Sequence, residues 1–321
     1  MKKNIVLVGG SGFIGTHTIE EFIRRKTFAK IYVLDLVPPR VSGNEVVYIP
    51  CDIRKPFEAP VKDCDIVVNL AALCKEPGYP YDEYFATNFV GAKHVCDFAR
   101  AHSIRKMVFV STMMVFRASD EPMTEDSPTC PDTGYGISKL LGEKECLLWR
   151  NAGGKNSLYI LRPAVVFGKH ENGNYTRLYR ALKKRAFAYV GRTTTIKASI
   201  YVKDVAAAIH FFCVKSPRET IHNLAIPRTL TIKDICDALA DTMGVSRAWL
   251  ILPFRLTWML SFLFEWLAKI LPNPIHHRRV EKLYESTNIV PSALLRSGFA
   301  FSFDLHQGME DWKRECGGDL Y

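Results

Sequence analysis

The sequence predicts an α/β fold, a doubly wound parallel sheet followed by a smaller, mostly helical C-terminal part. Three observations carry that prediction. The chain opens on a short apolar strand, Ile5-Val6-Leu7-Val8, which runs into a glycine cluster and then a helical pattern. Near-continuous apolar runs then alternate with helical stretches, as in a sheet covered on both faces. The last third turns mostly helical.

The strand–glycine–helix unit comes first. Gly9-Gly10-Ser11-Gly12-Phe13-Ile14-Gly15 fits both G-x-G-x-x-G and G-x-x-G-x-x-G spacing. In such a unit the first glycine permits the tight turn, the second lets backbone approach a pyrophosphate, and the third lets the helix lie close on the strand. This is the Rossmann-type dinucleotide cradle. A second strand, Ile31-Tyr32-Val33-Leu34, ends at Asp35, about twenty residues on, where an acid can accept hydrogen bonds from both ribose hydroxyls. With Leu36 beside it, a ribose 2′-phosphate would meet uncompensated negative charge, so NAD is expected over NADP; Arg40 is the nearest cation that works against this.

Further strands are expected at 46–49, leading to Cys51-Asp52-Ile53, at 65–72, ending Asn69-Leu70-Ala71-Ala72, and at 106–112. A helix is expected over 84–102. A proline- and acid-rich loop spans 122–131. It leads to a helix from Gly134 to about Trp149, a sixth strand at 158–163, a helix at 178–184 and another at 206–214. The expected division is a dinucleotide-binding domain of residues 1–170 and 199–225, with a substrate domain of 171–198 and 226–321.

Composition narrows the function classes. The 321 residues allow ample core, and 48% hydrophobic with 24% charged residues is ordinary for a soluble enzyme. Nine cysteines without a C-x-x-C pair read as reduced thiols, with no metal site and a cytoplasmic setting. No secretory signal is read before the first strand. The net charge of +10 comes from dispersed basic residues without a nucleic-acid recognition motif, so phosphorylated substrates or an anionic membrane surface suit it better than nucleic acid.

Tyr135 and Lys139, four apart at a helix start, share one helix face. A phenol is a poor base near neutrality, and a nearby ammonium, helped by a nicotinamide cation, is expected to favour its phenolate. Tyr135 would then take a hydroxyl proton while hydride leaves the same carbon for NAD⁺, with the Thr112 hydroxyl on the same oxygen.

Glycine loop, Asp35, Thr112, Tyr135 and Lys139, in this order, resemble the extended short-chain dehydrogenase/reductase family, its NAD-dependent sugar epimerase/dehydratase group. Further matches are Asp52, Asn69-Leu70-Ala71-Ala72, Asn88 in Thr87-Asn88-Phe89-Val90-Gly91, Leu161-Arg162-Pro163, Tyr201-Val202-Lys203-Asp204-Val205-Ala206 and Ser297-Gly298-Phe299. The resemblance implies a catalytic set of Thr112, Tyr135 and Lys139. It implies an NAD site of Gly9, Gly12, Phe13, Ile14, Gly15, Asp35, Asp52, Ile53, Leu70, Ala71, Ala72, Asn88, Lys139 and Pro163. It also implies a homodimer paired through the helices containing residues 88–100 and 135–149. Sugar dehydratases carry an Asp-Glu pair after the threonine; Met113 and Met114 stand here, so epimerisation is expected over dehydration. Asn172-Gly173-Asn174-Tyr175 looks like the diphosphate-side segment of sugar epimerases, which makes Asn174 and Arg279 the candidate diphosphate ligands.

The stretch 249–271 is greasy but broken by Arg255, Glu265 and Lys269, so no membrane span is expected. As a helix, Leu256, Met259, Leu260, Leu263, Phe264 and Leu267 form one apolar face and Trp258, Phe262 and Trp266 a second. The first is expected to face the core. The second is expected to face another helix or, beside His276-His277-Arg278-Arg279 and Lys282, an anionic leaflet. The layout is similar to bacterial epimerases of undecaprenyl-diphosphate-linked N-acetylglucosamine, which implies a diphosphate-linked sugar as substrate and a peripheral place on the inner face of the cell membrane. The alternative is an NAD(P)-dependent dehydrogenase or reductase of a hydrophobic alcohol, as in steroid-like extended members.

Overall fold

In a computed structural model, residues 2–76, 78–267 and 277–319 are described, without the side chains of 260, 262–267 and 277–279. Seven parallel strands form the central sheet: β1 (Asn4–Val8), β2 (Ile31–Asp35), β3 (Val46–Pro50), β4 (Cys64–Asn69), β5 (Lys106–Val110), β6 (Ser157–Pro163) and β7 (Ile221–Leu224), in the order β7-β6-β5-β4-β1-β2-β3. The pleat of β1 sends Ile5 and Leu7 to one core and Val6 and Val8 to the other. On the first side, helices Phe13–Arg25 and Val202–Val214 bring Ile19, Phe22, Val205, Ile209 and Phe212 onto the sheet. On the second, Gly91–Ala101 and Gly134–Ala152 bring Val95, Phe98, Cys146 and Trp149. Strand order reverses between β1 and β4, so a crevice opens at their carboxyl ends.

The remaining chain packs a third core around Phe167, Tyr175, Tyr179, Tyr201, Leu239 and Trp312. Three two-stranded pairings tie it down: Val165–Phe167 with Ser199–Tyr201, Tyr189–Val190 with Ile251–Leu252, and Ser119–Met123 with Thr287–Ile289.

The structure departs from the sequence expectations at four places. β7 was not foreseen, because His222 and Asn223 make Ile-His-Asn-Leu look polar, yet both are fully buried. Asn223 is held there by donating from Nδ2 to the carbonyls of Met123 and Val290. The helix expected from 84 starts at Tyr81 and passes through a π-helical stretch, Phe85–Val90, before Gly91–Ala101. The loop expected from 122 begins later, since Ser119–Met123 is a strand. Finally, the helix Phe254–Leu267 is turned about its axis relative to expectation. Phe254 stacks on Tyr284 at 4.3 Å, Trp258 donates from Nε1 to Glu281 at 2.9 Å, and Ser261 is buried, whereas Leu256 and Met259 face out. A helix apolar all round gives no single face to read. The side chains of Phe262 and Trp266 lie outside the described residues, as do residues 268–276 entirely. Among the described residues no helix is long and apolar enough to cross a membrane.

A buried ion pair joins the second side of the sheet to its end. Arg162 on β6 grips Glu143 on the helix Gly134–Ala152 with two bonds, Nε to Oε1 at 2.9 Å and Nη2 to Oε2 at 2.7 Å, both side chains nearly unexposed. Ser111, just past β5, donates to the same Oε1 at 2.5 Å. Removing one partner would leave a buried charge uncompensated. Glu143→Ala should therefore destabilise the fold by about 3–5 kcal/mol in urea titration, and Glu143→Leu combined with Arg162→Met should recover most of that loss.

Candidate active site

The crevice is floored by the glycine loop. Gly9 has φ +77°, and a Cβ there would collide with the backbone of Ala71, so β1 and β4 end in close contact only because Gly9 is bare. A Cβ on Gly15 would strike the Gly10 backbone; the close approach is to the loop and not, as expected, to the strand. Gly12 differs. A Cβ there meets only the Gly9 carbonyl, at 3.5 Å, so the chain itself leaves the outer side open. Gly12 caps the helix Phe13–Arg25 without a side-chain hydrogen bond, which leaves the first-turn N–H groups of Phe13, Ile14 and Gly15 for an anion.

Asp35, at the end of β2, accepts from the Ser11 N–H at 2.9 Å and the Leu36 N–H at 2.7 Å, and so fixes the loop from beside. Arg40 donates to the Ser11 carbonyl at 3.3 Å. Asp52 is gripped by Arg54, which holds its carboxyl below the usual range. Ile53 is buried, against Gly91, so only its backbone faces any ligand. Leu70, Ala71 and Ala72 are half-buried at the end of β4, and Pro163 closes β6.

Asn88 is buried between two elements. Its amide accepts from the Leu73 N–H at 2.9 Å and donates to the Leu73 carbonyl and to Ser138 Oγ, both at 3.0 Å. It therefore fastens the loop after β4 to the helix Gly134–Ala152.

Thr112, Tyr135 and Lys139 come together beside this floor. Thr133 caps the helix Gly134–Ala152, accepting from the Gly136 N–H. A Cβ on Gly136 would collide with the Met114 carbonyl, so this glycine lets the helix start press on the turn Met113–Val115. Thr112 accepts from the Met114 N–H at 3.1 Å, and its hydroxyl lies close enough to the Tyr135 phenol to lower it. Ser138 donates back to the Tyr135 carbonyl at 2.9 Å. The Lys139 side chain is 1% exposed, its ammonium 4.2 Å from the centre of the Phe109 ring, and Nζ has no hydrogen-bond partner among the described residues.

Burial drives the phenol of Tyr135 above its ordinary value, reinforced by the Cys74 thiol and only partly offset by the Thr112 hydroxyl. Burial likewise pulls Lys139 down to about 8, against the upward pull of Cys146, Glu143 and Cys74. The expectation that the ammonium lowers the phenol is not met by the protein alone: burial outweighs it.

The sequence reading missed four members of this site. Glu143, Arg162 and Ser111 brace it, and Cys74 stands close enough to couple to both Tyr135 and Lys139. Glu143 continues the spacing of four from Lys139, which was the available signal.

On the substrate side, Asn174 is exposed in the first turn of the helix Asn174–Lys183, its Oδ1 accepting from Arg177 Nη2 at 2.8 Å. Arg279 lies on the helix His277–Tyr284, its side chain outside the described set. Arg192 pairs with Asp120 at 2.7 Å, and Lys282 crosses to the Glu76 carbonyl at 3.1 Å.

An open helix N-terminus over bare glycines, an acid at the end of β2 and an orphaned buried ammonium beside a tyrosine fit a nicotinamide dinucleotide. Fold and site together define a nicotinamide-dependent enzyme. Residues 5–225 match the family model described as NAD dependent epimerase/dehydratase, and the chain belongs to that family. It is 25% identical over 316 residues to N-acetyl-alpha-D-glucosaminyl-diphospho-ditrans,octacis-undecaprenol 4-epimerase of Escherichia coli O157:H7, covering 97% of this chain and 94% of that one. It is 23% identical to the decarboxylating sterol-4-alpha-carboxylate 3-dehydrogenase of Dictyostelium discoideum, with 96% and 99% covered. Among solved structures, MoeE5 in complex with UDP-glucuronic acid and NAD superposes with a TM-score of 0.75 at 20% identity, over 98% of this chain and 99% of that one.

Because Lys139 is depressed from 10.5 to about 8 on folding, the unfolded chain binds more protons between those values, and stability must rise with pH there. The burial penalty is fully present below about pH 8 and relieved as pH approaches 10.5. Unfolding titrations without cofactor should show wild type gaining about 2–3 kcal/mol across that window relative to Lys139→Met.

Proposed function

We propose that the chain is an NAD-dependent sugar 4-epimerase acting on a diphosphate-linked hexose or N-acetylhexosamine through a transient 4-keto sugar. The observation that carries this reading is the assembly of Thr112, Tyr135 and Lys139 beside an open glycine loop, with Met113 and Met114 where proton transfer for dehydration would need acids. Gly9, Gly12, Gly15 and the N–H groups of Phe13 and Ile14 hold the pyrophosphate, and Asp35 takes the adenosine ribose. Asp52 and the Ile53 backbone face the adenine side. Leu70, Ala71, Ala72 and Pro163 wall the nicotinamide half, and Lys139 holds its ribose. Bound NAD supplies a hydride acceptor and donor for C4.

The chain's own residues manage the proton. Thr112 uses its oxygen to accept the Met114 N–H, which leaves its own proton for the oxygen on C4. Tyr135 takes the C4 hydroxyl proton and returns it after the keto sugar has turned. Its surroundings favour the protonated phenol, so the phenolate that accepts the C4 proton has to be held against them, and that leans on the Lys139 charge, which persists below about pH 8. Asn174 and Arg279 serve the diphosphate. The Escherichia coli relative supports a polyprenyl carrier, and a nucleotide carrier fits the same diphosphate chemistry. Pairing into a homodimer through the helices Gly91–Ala101 and Gly134–Ala152 belongs to this reading, supported by Leu148, 59% exposed on the second helix.

One observation favours a second reading: the sterol dehydrogenase of Dictyostelium discoideum aligns over nearly its whole length. A net dehydrogenase of a hydrophobic alcohol accumulates free NADH, whereas an epimerase isomerises at constant NADH.

Incubation with UDP-linked and polyprenyl-diphosphate-linked N-acetylhexosamines, followed by resolution of the C4 epimers, should show interconversion of one of them. Tyr135→Phe should lower kcat about 10²–10⁴-fold while NAD binding, read by nicotinamide fluorescence titration, is retained. Near-normal turnover of Tyr135→Phe would sink the proposal.

A further inference from the structure

We infer that the strand Ile251–Leu252 and the first turns of the helix Phe254–Leu267 form a docking edge for an anionic lipid leaflet. The edge differs from the tryptophan stripe that the sequence offers for that role. Trp249 is 84% exposed, Met259 66%, Leu256 54% and Ile251 50%, and all four lie within eleven consecutive residues. Large apolar side chains exposed along one short stretch point to an interaction site.

Its orientation is fixed, not incidental. Phe254 on Tyr284 and Trp258 on Glu281 turn one face of the helix inward, which leaves Arg255, Leu256 and Met259 on the other. The strand is held by the Tyr189 N–H donating to the Leu250 carbonyl at 2.9 Å and the Gly191 N–H to the Leu252 carbonyl at 2.7 Å. The exposed groups thus project from hydrogen-bonded backbone.

Charge selects the occupant. Arg255 sits among the apolar residues, exposed and without a partner among the described residues. Arg185, also exposed, donates to Ser246 Oγ at 3.0 Å, which brings Lys184 and Arg185 to the segment leading into Trp249. The nearby acid Asp241 is engaged by Arg247. Apolar groups interleaved with unneutralised cations, on a chain of net charge +10, match an anionic leaflet: the indole and aliphatic groups enter the headgroup boundary while the cations meet lipid phosphates. A second copy of the chain fits less well, because a two-fold axis through this edge would set Arg255 against cations of its own kind.

The inference deepens the proposed function, resting on it for the lipid-linked form of the substrate, while the edge itself stands on exposure and charge. Flotation of the full chain with phosphatidylcholine vesicles, with and without phosphatidylglycerol, tests it. Wild type should float with the phosphatidylglycerol vesicles and be released by salt. The variant Trp249→Ser/Ile251→Ser/Met259→Ser should bind at least ~10-fold less, with unchanged thermal unfolding. Arg255→Glu/Lys184→Glu should lose only the dependence on phosphatidylglycerol. Wild type that stays unbound with both vesicles, or a triple variant that floats equally well, would overturn the inference. So would a wild-type dimer in sedimentation that the triple variant dissolves, since the edge would then be a subunit interface. None of these readouts requires turnover, so failure of the epimerase assay leaves the flotation result interpretable.

Discussion

The mutual placement of Thr112, Tyr135 and Lys139 depends on one buried carboxylate, Glu143. Glu143 lies one helical step beyond Lys139, itself one step beyond Tyr135, so the three form a single stripe on the helix Gly134–Ala152. Arg162 pulls that stripe onto β6, and Ser111 ties the same carboxylate to the residue just before Thr112. The Thr112 hydroxyl, just past β5, and the phenol on the helix are thereby set relative to one another through one buried side chain. Such a pair contributes little net stability, because desolvation offsets most of the attraction. Here it acts on register: the helix cannot slide along the sheet without breaking three charge-assisted bonds. Arg162 Nη1 keeps no partner among the described residues even so, and the guanidinium lies 5.0 Å from the centre of the Phe116 ring.

A second brace works from the opposite side. Asn88 reaches both the backbone of Leu73 and Ser138, and Tyr84 reaches the Lys75 carbonyl. The loop between them carries Cys74, whose thiol burial pushes up, so it adds no charge near the phenol. For both Tyr135 and Lys139 burial is the largest influence, ahead of the Cys74 thiol at the phenol and of Cys146 and the paired Glu143 at the ammonium. That explains why both titrating residues lean to their uncharged forms, and why a sequence argument from the ammonium alone overstated its grip on the phenol. Distance from water decides before pairing does.

Much of the fold was legible because the sheet's central strands are buried on both faces and say so in unbroken apolar runs: β1, β2, β4 and β5 need no context. The glycine loop was legible because bare backbone has no other economical reason at three fixed spacings. What stayed hidden was polar or undirected. His222 and Asn223 disguise β7, since a buried amide that satisfies two distant carbonyls looks, in one dimension, like a loop residue. The Met123 and Val290 carbonyls that accept from it are 100 and 67 residues away. Asn88 was found by its pattern, but its partners Leu73 and Ser138, lying on two other elements, stayed hidden for the same reason. The helix Phe254–Leu267 gave a face to every reading, and only the contacts of Phe254 and Trp258 with the helix His277–Tyr284 choose one.

Those contacts also bear on the substrate side. Lys197 donates to the carbonyls of Lys282 and Glu285, 2.5 Å each, at the C-terminal end of the helix His277–Tyr284, where the helix dipole is negative. Burial pulls this lysine down to about 8, and the carbonyls take its hydrogens, so it acts as a strut for that helix. Lys282 is committed in turn to the Glu76 carbonyl, and Arg192 to Asp120. The corner is rich in cations, but their first partners are the chain itself. They fix the helix that carries Arg279 and the pairing of Thr287–Ile289 with Ser119–Met123. An anion entering that corner therefore meets cations already hydrogen-bonded by the chain itself. It must be recognised by a side chain aimed at it, not by the gross positive charge of the protein.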